Sequence, residues 1–386
     1  MLKSLIIKNF RSLEDFQVEK LGRVNLIVGK NNSGKSSVLD ALRIFSENSH
    51  QEILEKVSLE HDETCVLDKD VKKGILALLP TDNSLPYESL FTGRKFPESE
   101  KPIVIGESDN DQALKIFHVY GIEKNYIAND ESGKKEVFQR LVWVTSKEET
   151  LHERNIGEGL LIKKNGDATT LDFNVISPEF RRFVSVGYRL PCSFIPTQLV
   201  STNEIANDWD RIALTDKEEA VTQVMSIILP EFEAITFVND LLSNRDKSVR
   251  RVAKVKIRGF DRPVPLSSLG DGMIRILQIV LKAVTAKDGF LLIDEFENGL
   301  HYSIQEKVWN FLFDLSNELN IQIFATTHSW DCIESFAKVA IGKQDVEGLL
   351  FRVGQSVRNS DKGRVISTVF EKEQLFSITQ SDVEVR

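Results

Sequence analysis

Cysteine is scarce in this sequence, and what there is does not cluster. Cys65, Cys192 and Cys332 are odd in number and far apart. Neither a disulfide framework nor a cysteine-based metal site follows, and the pattern fits a reducing compartment. Long apolar runs are missing as well. No stretch reaches the roughly eighteen residues of a membrane span. The run Leu5, Ile6 and Ile7, between Lys3 and Lys8, is too short for the apolar part of a secretory signal. The expectation is a cytoplasmic protein with no membrane partner. A basic excess is absent too: 49 Lys and Arg stand against 58 Asp and Glu, a formal net charge of −9. That excludes a broadly basic coat for nucleic acid, though not a local patch. No internal repeat is visible, and no heptad pattern persists for three turns, which excludes a solenoid and a long coiled coil.

What is present is ordinary globular composition, 41% hydrophobic and 28% charged over 386 residues, enough for two or three structural units. The patterning is strong at the two ends and weak between. Leu2–Lys8 and Val24–Val28 read as buried strands, and a helix is predicted over Lys35–Phe45 with Val38, Leu39, Leu42 and Phe45 on one face. Strand-like runs follow near Pro102–Gly106, Leu114–Val119 and Val137–Val144, then a short strand at Cys192–Thr197 and a helix over Asp216–Leu229 stopped by Pro230. In the last third, helices over Ser268–Ala286 and Tyr302–Leu319 alternate with strands Phe290–Ile293 and Ile321–Thr326, the mark of a parallel sheet covered by helices. The expected organisation is a discontinuous core, 1–50 with 190–386, carrying a mixed β-rich and partly helical insertion over 51–189.

Gly29-Lys30-Asn31-Asn32-Ser33-Gly34-Lys35-Ser36 fits G-x-x-x-x-G-K-[ST] in full, between a strand and a helix. Its chemistry is that of a phosphate cradle. Glycines let the backbone curl so that successive N–H groups point inward, and the helix that follows, opening with Ser36 and Ser37, offers its positive end to the same anion. Lys35 is expected to bridge the β- and γ-phosphates of ATP, and the Ser36 hydroxyl to ligate Mg²⁺. The four apolar residues Phe290–Ile293 deliver Asp294 and Glu295 to the carboxyl end of a strand, where open α/β sheets place ligands. Asp294 is the expected second magnesium contact, and Glu295 the group that polarises the attacking water.

Leu266-Ser267-Ser268-Leu269-Gly270-Asp271-Gly272 then precedes an apolar helix face. It resembles the S-L-G-[DE]-G signature of ABC-type ATPases of the OLD-like, RecF-like and SMC-like families. The resemblance covers roughly 1–48 and 262–340, and implies an α/β P-loop NTPase with an ABC-ATPase-like head. It assigns Ser268 and Gly270 to the γ-phosphate of a partner chain, so that a head-to-tail homodimer shares its ATP sites. Phe324-Ala325-Thr326-Thr327-His328 is similar to the switch-histidine strand of the same superfamily, which gives His328 a catalytic role. Glu297-Asn298-Gly299-Leu300-His301 resembles the continuation found in OLD-like ATPases, at the dimer-facing loop, with Asn298 as contact candidate. The Asn9-Phe10-Arg11-Ser12 opening resembles the N-F-[RK]-S opening of these families, which implies a place for Arg11 near the nucleotide, and Gln198 is the candidate metal-contacting glutamine.

The Toprim nuclease domain of OLD proteins is not expected, since only 58 residues follow His328. The segment Arg245–Arg262 holds eight basic and two acidic residues, with Lys254, Lys256 and Arg258 alternating against Ala253, Val255 and Ile257. One face of a strand would be basic there, a solvated face first and a contact for DNA, RNA or an acidic partner protein second. The resemblance implies an ATP-hydrolysing dimeric switch that controls a separately encoded effector, a nuclease or toxin, in anti-phage defence or DNA metabolism. The alternative is a RecF-like ATPase that binds DNA itself.

Overall fold

The computed structural model describes residues 1–63, 87–98, 100–129, 135–151, 154–173, 187–239, 250–361, 363–372, 374–375 and 377. Its centre is a six-stranded sheet. In spatial order the strands are β16 (Val365–Phe370), β15 (Gly348–Gln355), β3 (Val24–Val28), β14 (Gln322–Thr327), β13 (Phe290–Ile293) and β9 (Cys192–Ile195). All pairings are parallel except that of β16, so the carboxyl ends of β3, β14, β13 and β9 share one edge. The inner strands β3, β14 and β13 are buried on both faces along their whole length, and β3 and β13 are accordingly short, mostly apolar runs. Alternate residues go to opposite sides. Leu26, Leu291, Ile293, Ile323 and Ala325 join one core, and Ile27, Phe290, Leu292 and Phe324 the other.

Helices cover the first face. They are α3 (Thr202–Asp210), α4 (Asp216–Ile228), α5 (Asp271–Thr285), α6 (Tyr302–Glu318) and α7 (Trp330–Gly342), together with the small sheet β10 (Phe232–Asn239), β11 (Arg251–Ile257) and β12 (Val264–Pro265). The second face packs on α1 (Lys35–Ser46) and on a seven-stranded antiparallel sheet. That sheet comprises β1 (Leu5–Phe10), β2 (Leu13–Val18), β4 (Ile103–Gly106), β5 (Leu114–Asn129), β6 (Lys135–Val144), β7 (Arg154–Lys164) and β8 (Asp167–Asp172). A short helix, α2 (Gln51–Leu59), follows α1.

The structure adds several elements to the sequence reading, and three differences bear on the site. The hairpin β1–β2 pairs with β4, Ile7 opposite Ile105, so the first eighteen residues share their sheet with the stretch read as an insertion. β2 is not apparent in the pattern because Glu14 and Asp15 stand side by side and break the alternation. The helix expected from Ser268 begins at Asp271 instead. Leu266–Leu269 form a 3-10 turn, and Gly270, at φ 97, adopts a left-handed backbone that separates the turn from the helix.

Candidate functional site

The phosphate-loop sequence occupies the turn between β3 and α1. Gly29 has φ 153, and a Cβ there would lie 2.2 Å from the Val353 carbonyl oxygen, so only glycine fits. Gly34, at φ 102, precedes α1 with no side chain capping the helix. The first N–H groups of α1 are therefore left to an incoming anion. Asn31, Asn32 and Ser36 are exposed on the loop, with Ser37 half-buried behind them. Lys35 folds back over the loop, its Nζ donating to the carbonyls of Gly29 at 2.7 Å and Lys30 at 3.0 Å. Burial lowers the pKa of this ammonium, while Asp294, Glu295 and Glu297 pull the other way. The Ser33 hydroxyl is buried beneath the loop and meets no partner among the described residues.

Across the edge, Asp294 faces Ser36, whose hydroxyl stands 3.5 Å from both carboxylate oxygens. Two threonines hold that carboxylate: Thr326 from β14 donates at 2.6 Å, and Thr197 from the turn after β9 at 2.9 Å. The Thr326 oxygen also accepts from the Glu295 amide at 2.8 Å. The sequence assigns neither threonine a role, although Thr197 stands beside Gln198 and Thr326 two residues before His328. Gln198 lines a cavity of about 510 Å³ with Ser36, Asp40 and Asp294. Among the described residues no hydrogen bond joins Gln198 to Asp294 or Ser36; its neighbour Thr197 makes that contact.

Glu295 sits at φ 48, and its Oε2 accepts from Asn298 Nδ2 at 2.8 Å. Its Oε1 lies 3.6 Å from His328 Nδ1. Asn298, expected to face a partner chain, thus turns into its own site. Behind both acids lies Arg275, a residue the sequence did not flag because it falls within an apolar helix stripe. It is fully buried, and its guanidinium donates to the carbonyls of Pro196 at 2.8 Å, Asp294 at 3.0 Å and Glu295 at 3.3 Å. Burial brings its pKa down to about 10.

The remaining candidates lie apart from the loop. Ser268 is exposed, and its hydroxyl donates to the Pro265 carbonyl at 2.6 Å, so it caps nothing. Gly270 occupies the cap position of α5 with no side-chain cap and open space around it. Among the described residues no hydrogen bond links Ser268 or Gly270 to residues 29–37. Arg11 is not at the loop either. Its guanidinium pairs with Glu63 at 3.1 Å and Asp40 at 3.7 Å, while the next two residues, Ser12 and Leu13, pack against Gly34. On β11 the basic alternation holds, but Lys256 and Arg258 both pair with Glu233, and Arg251 with Asp210. Residues 245–249 of the basic segment lie outside the described residues.

Residues 1–179 match the family described as AAA ATPase domain, and residues 203–331 the family described as AAA domain, putative AbiEii toxin, Type IV TA system. An ATP/GTP phosphatase of Helicobacter pylori is 25% identical over 368 residues, covering 88% of each chain. A DNA double-strand break repair Rad50 ATPase of Archaeoglobus fulgidus is 50% identical over 44 residues, 11% of this chain and 5% of that one. Among solved structures, the SMC head domain from Thermotoga maritima aligns over 96% of this chain and 98% of its own, at 16% identity and a TM-score of 0.40.

Proposed function

From the premise that this chain is a P-loop ATPase built from AAA-type domains, we propose that it works as an ATP-gated homodimeric switch acting on a separate effector. The carrying observation is the gathering of Lys35, Ser36, Asp294, Glu295 and His328 on one sheet edge, while Gly270 opens a second helix elsewhere. The residues suit a magnesium–ATP complex. The uncapped α1 terminus and the Ser33 hydroxyl, unpartnered among the described residues, are donors that an anion would satisfy, and the Lys35 ammonium, resting on the Gly29 and Lys30 carbonyls, carries the matching charge beside them. Ser36 and Asp294 supply the hard oxygen pair that magnesium prefers. When bound, the ion would neutralise charge on the phosphate oxygens.

In this reading Lys35 leaves the Gly29 and Lys30 carbonyls to meet the β- and γ-phosphates. Glu295 Oε1 takes a proton from the attacking water, and His328 steadies the γ-phosphate end. Arg275 holds the Asp294 and Glu295 carbonyls from behind, which fixes the strand end on which both carboxylates ride. A γ-phosphate is satisfied on all sides only if a second donor set closes over it. The glycine-opened terminus of α5 on a partner chain supplies one, and a twofold axis makes two such sites.

An effector role draws support from the toxin-system description of the family matching 203–331. DNA binding by the chain itself has Lys254, Lys256 and Arg258 in its favour, yet Glu233 offsets much of that charge. Lys35→Ala should abolish tight ATP binding, as the loop loses its only lysine aimed inward. Isothermal titration with ATP and Mg²⁺ checks this, and wild-type affinity would remove the assignment.

A further inference from the structure

The turn Phe296–Leu300 connects the two carboxylates to α6. Phe296 is fully buried and stacks on Trp309 with ring centroids 3.9 Å apart, while its amide donates to the Thr326 carbonyl at 2.9 Å. With Phe296 pinned, the next two side chains have little freedom of direction, and both reach back to the site.

Glu297 Oε1 accepts from the His328 amide at 2.9 Å and the Ser329 amide at 3.0 Å, and lies 3.2 Å from the His328 ring nitrogen Nδ1. A carboxylate at the start of α7 has a bland explanation, that of stabilising the helix terminus. That explanation is insufficient here. Ser329 already caps α7 through its own hydroxyl, and the Ser329 amide already has the Thr327 hydroxyl at 3.0 Å. What Glu297 alone supplies is the grip on the histidine, main chain and ring together. A carboxylate facing Nδ1 holds the proton there and directs Nε2 the other way, as in other carboxylate–histidine pairs. Asn298 does the matching work on Glu295. Its Nδ2 donates to Glu295 Oε2 at 2.8 Å and to the Thr197 carbonyl at 3.3 Å, which leaves Oε1 on the side of His328.

We infer that Glu297 and Asn298 are paired positioning residues, one orienting His328 and the other Glu295, so that a single turn sets the geometry of both. This rests on the reading of Glu295 and His328 as the hydrolytic pair. Neither positioning residue touches ATP in this account; each acts through its neighbour.

The test is a pair of double-mutant cycles on the full chain, read as kcat and KM for ATP. Glu297→Ala and His328→Ala should each lower kcat about tenfold or more, with KM little changed. The double variant should be no slower than His328→Ala alone, because the second loss has nothing left to act through. Asn298→Ala should likewise slow turnover in the natural background and add nothing to Glu295→Gln. Glu297→Gln keeps an oxygen acceptor for the two amides and the ring, so its kcat should fall between natural chain and Glu297→Ala. This variant covers the case in which alanine unfolds α7. Losses that multiply in the double variants would overturn the inference while leaving the hydrolytic pair standing, as would Glu297→Gln turning over as slowly as Glu297→Ala. Normal turnover by His328→Ala would overturn both together.

Discussion

At the scale of single residues, Asp294 and Glu295 show how adjacent acids acquire different tasks. Asp294 is bound by the hydroxyls of Thr197 and Thr326 and faces Ser36, a setting for a metal contact. Glu295, forced to φ 48, turns to Asn298 and His328 instead. Backbone strain of this kind persists only where surrounding contacts impose it, here the Thr326 hydroxyl on the Glu295 amide and Arg275 beneath. Glu295→Gln keeps the shape and the Asn298 contact through its amide oxygen but removes the base. It should bind ATP normally and hydrolyse it about 10²–10⁴-fold more slowly, measured as phosphate release at saturating ATP. Unchanged turnover would assign water activation to another group.

At this scale the sequence was informative where chemistry is local. The phosphate loop could be read from eight consecutive residues, and the acid pair from a strand that ends on it. Thr197, Thr326 and Arg275 could not, since they belong to three different elements and meet only across the sheet edge. Arg11 has partners within the chain that escaped the sequence for a related reason. Its neighbour Glu63 is 52 positions away, and nothing in the Asn9–Ser12 stretch signals that partner. Asn298 was read as a contact to a partner chain, but within the chain it turns to Glu295 and Thr197, next to the buried Phe296.

At the scale of elements, strands with both faces buried were legible as apolar runs. Amphipathic strands with adjacent charges, such as β2, were not. The helix α1 illustrates how an element links site and scaffold. Its amino end carries the phosphate loop. Its carboxyl end is held by Lys164 from β7, which donates to the Phe45 carbonyl at 3.3 Å and to Asn48 Oδ1 at 2.6 Å. A cation there suits the helix terminus. Burial brings the Lys164 pKa down to about 8, below the ordinary 10.5. In the unfolded chain this amine keeps its proton up to the higher value, so between roughly pH 8 and 10.5 the unfolded state binds more protons and this group's contribution to stability rises with pH. Below that window the contribution is constant. Chemical denaturation of the natural chain and Lys164→Met, compared from pH 7 to 10, should show the natural chain gaining relative to the variant above about pH 8. Parallel curves would mean that Lys164 keeps its normal affinity for protons.

At the scale of the whole molecule, the central claim is that one chain does not complete an ATP site. The loop of residues 29–36 and the open terminus at Gly270 are both suited to phosphate, and no described hydrogen bond brings them together within the chain. Mixing two inactive variants tests this most directly. Lys35→Ala disables the loop. If the site is shared, Ser268→Glu sets a carboxylate against the partner's γ-phosphate, and it is preferable to a change at Gly270, whose φ of 97 would strain any other residue. If subunits exchange freely, about half the dimers are mixed. Each mixed dimer has one site with both defects and one intact site. The account predicts that each variant alone is inactive and that the mixture recovers up to about a quarter of natural ATPase activity. No recovery, with exchange demonstrated by labelled chains, would contradict it.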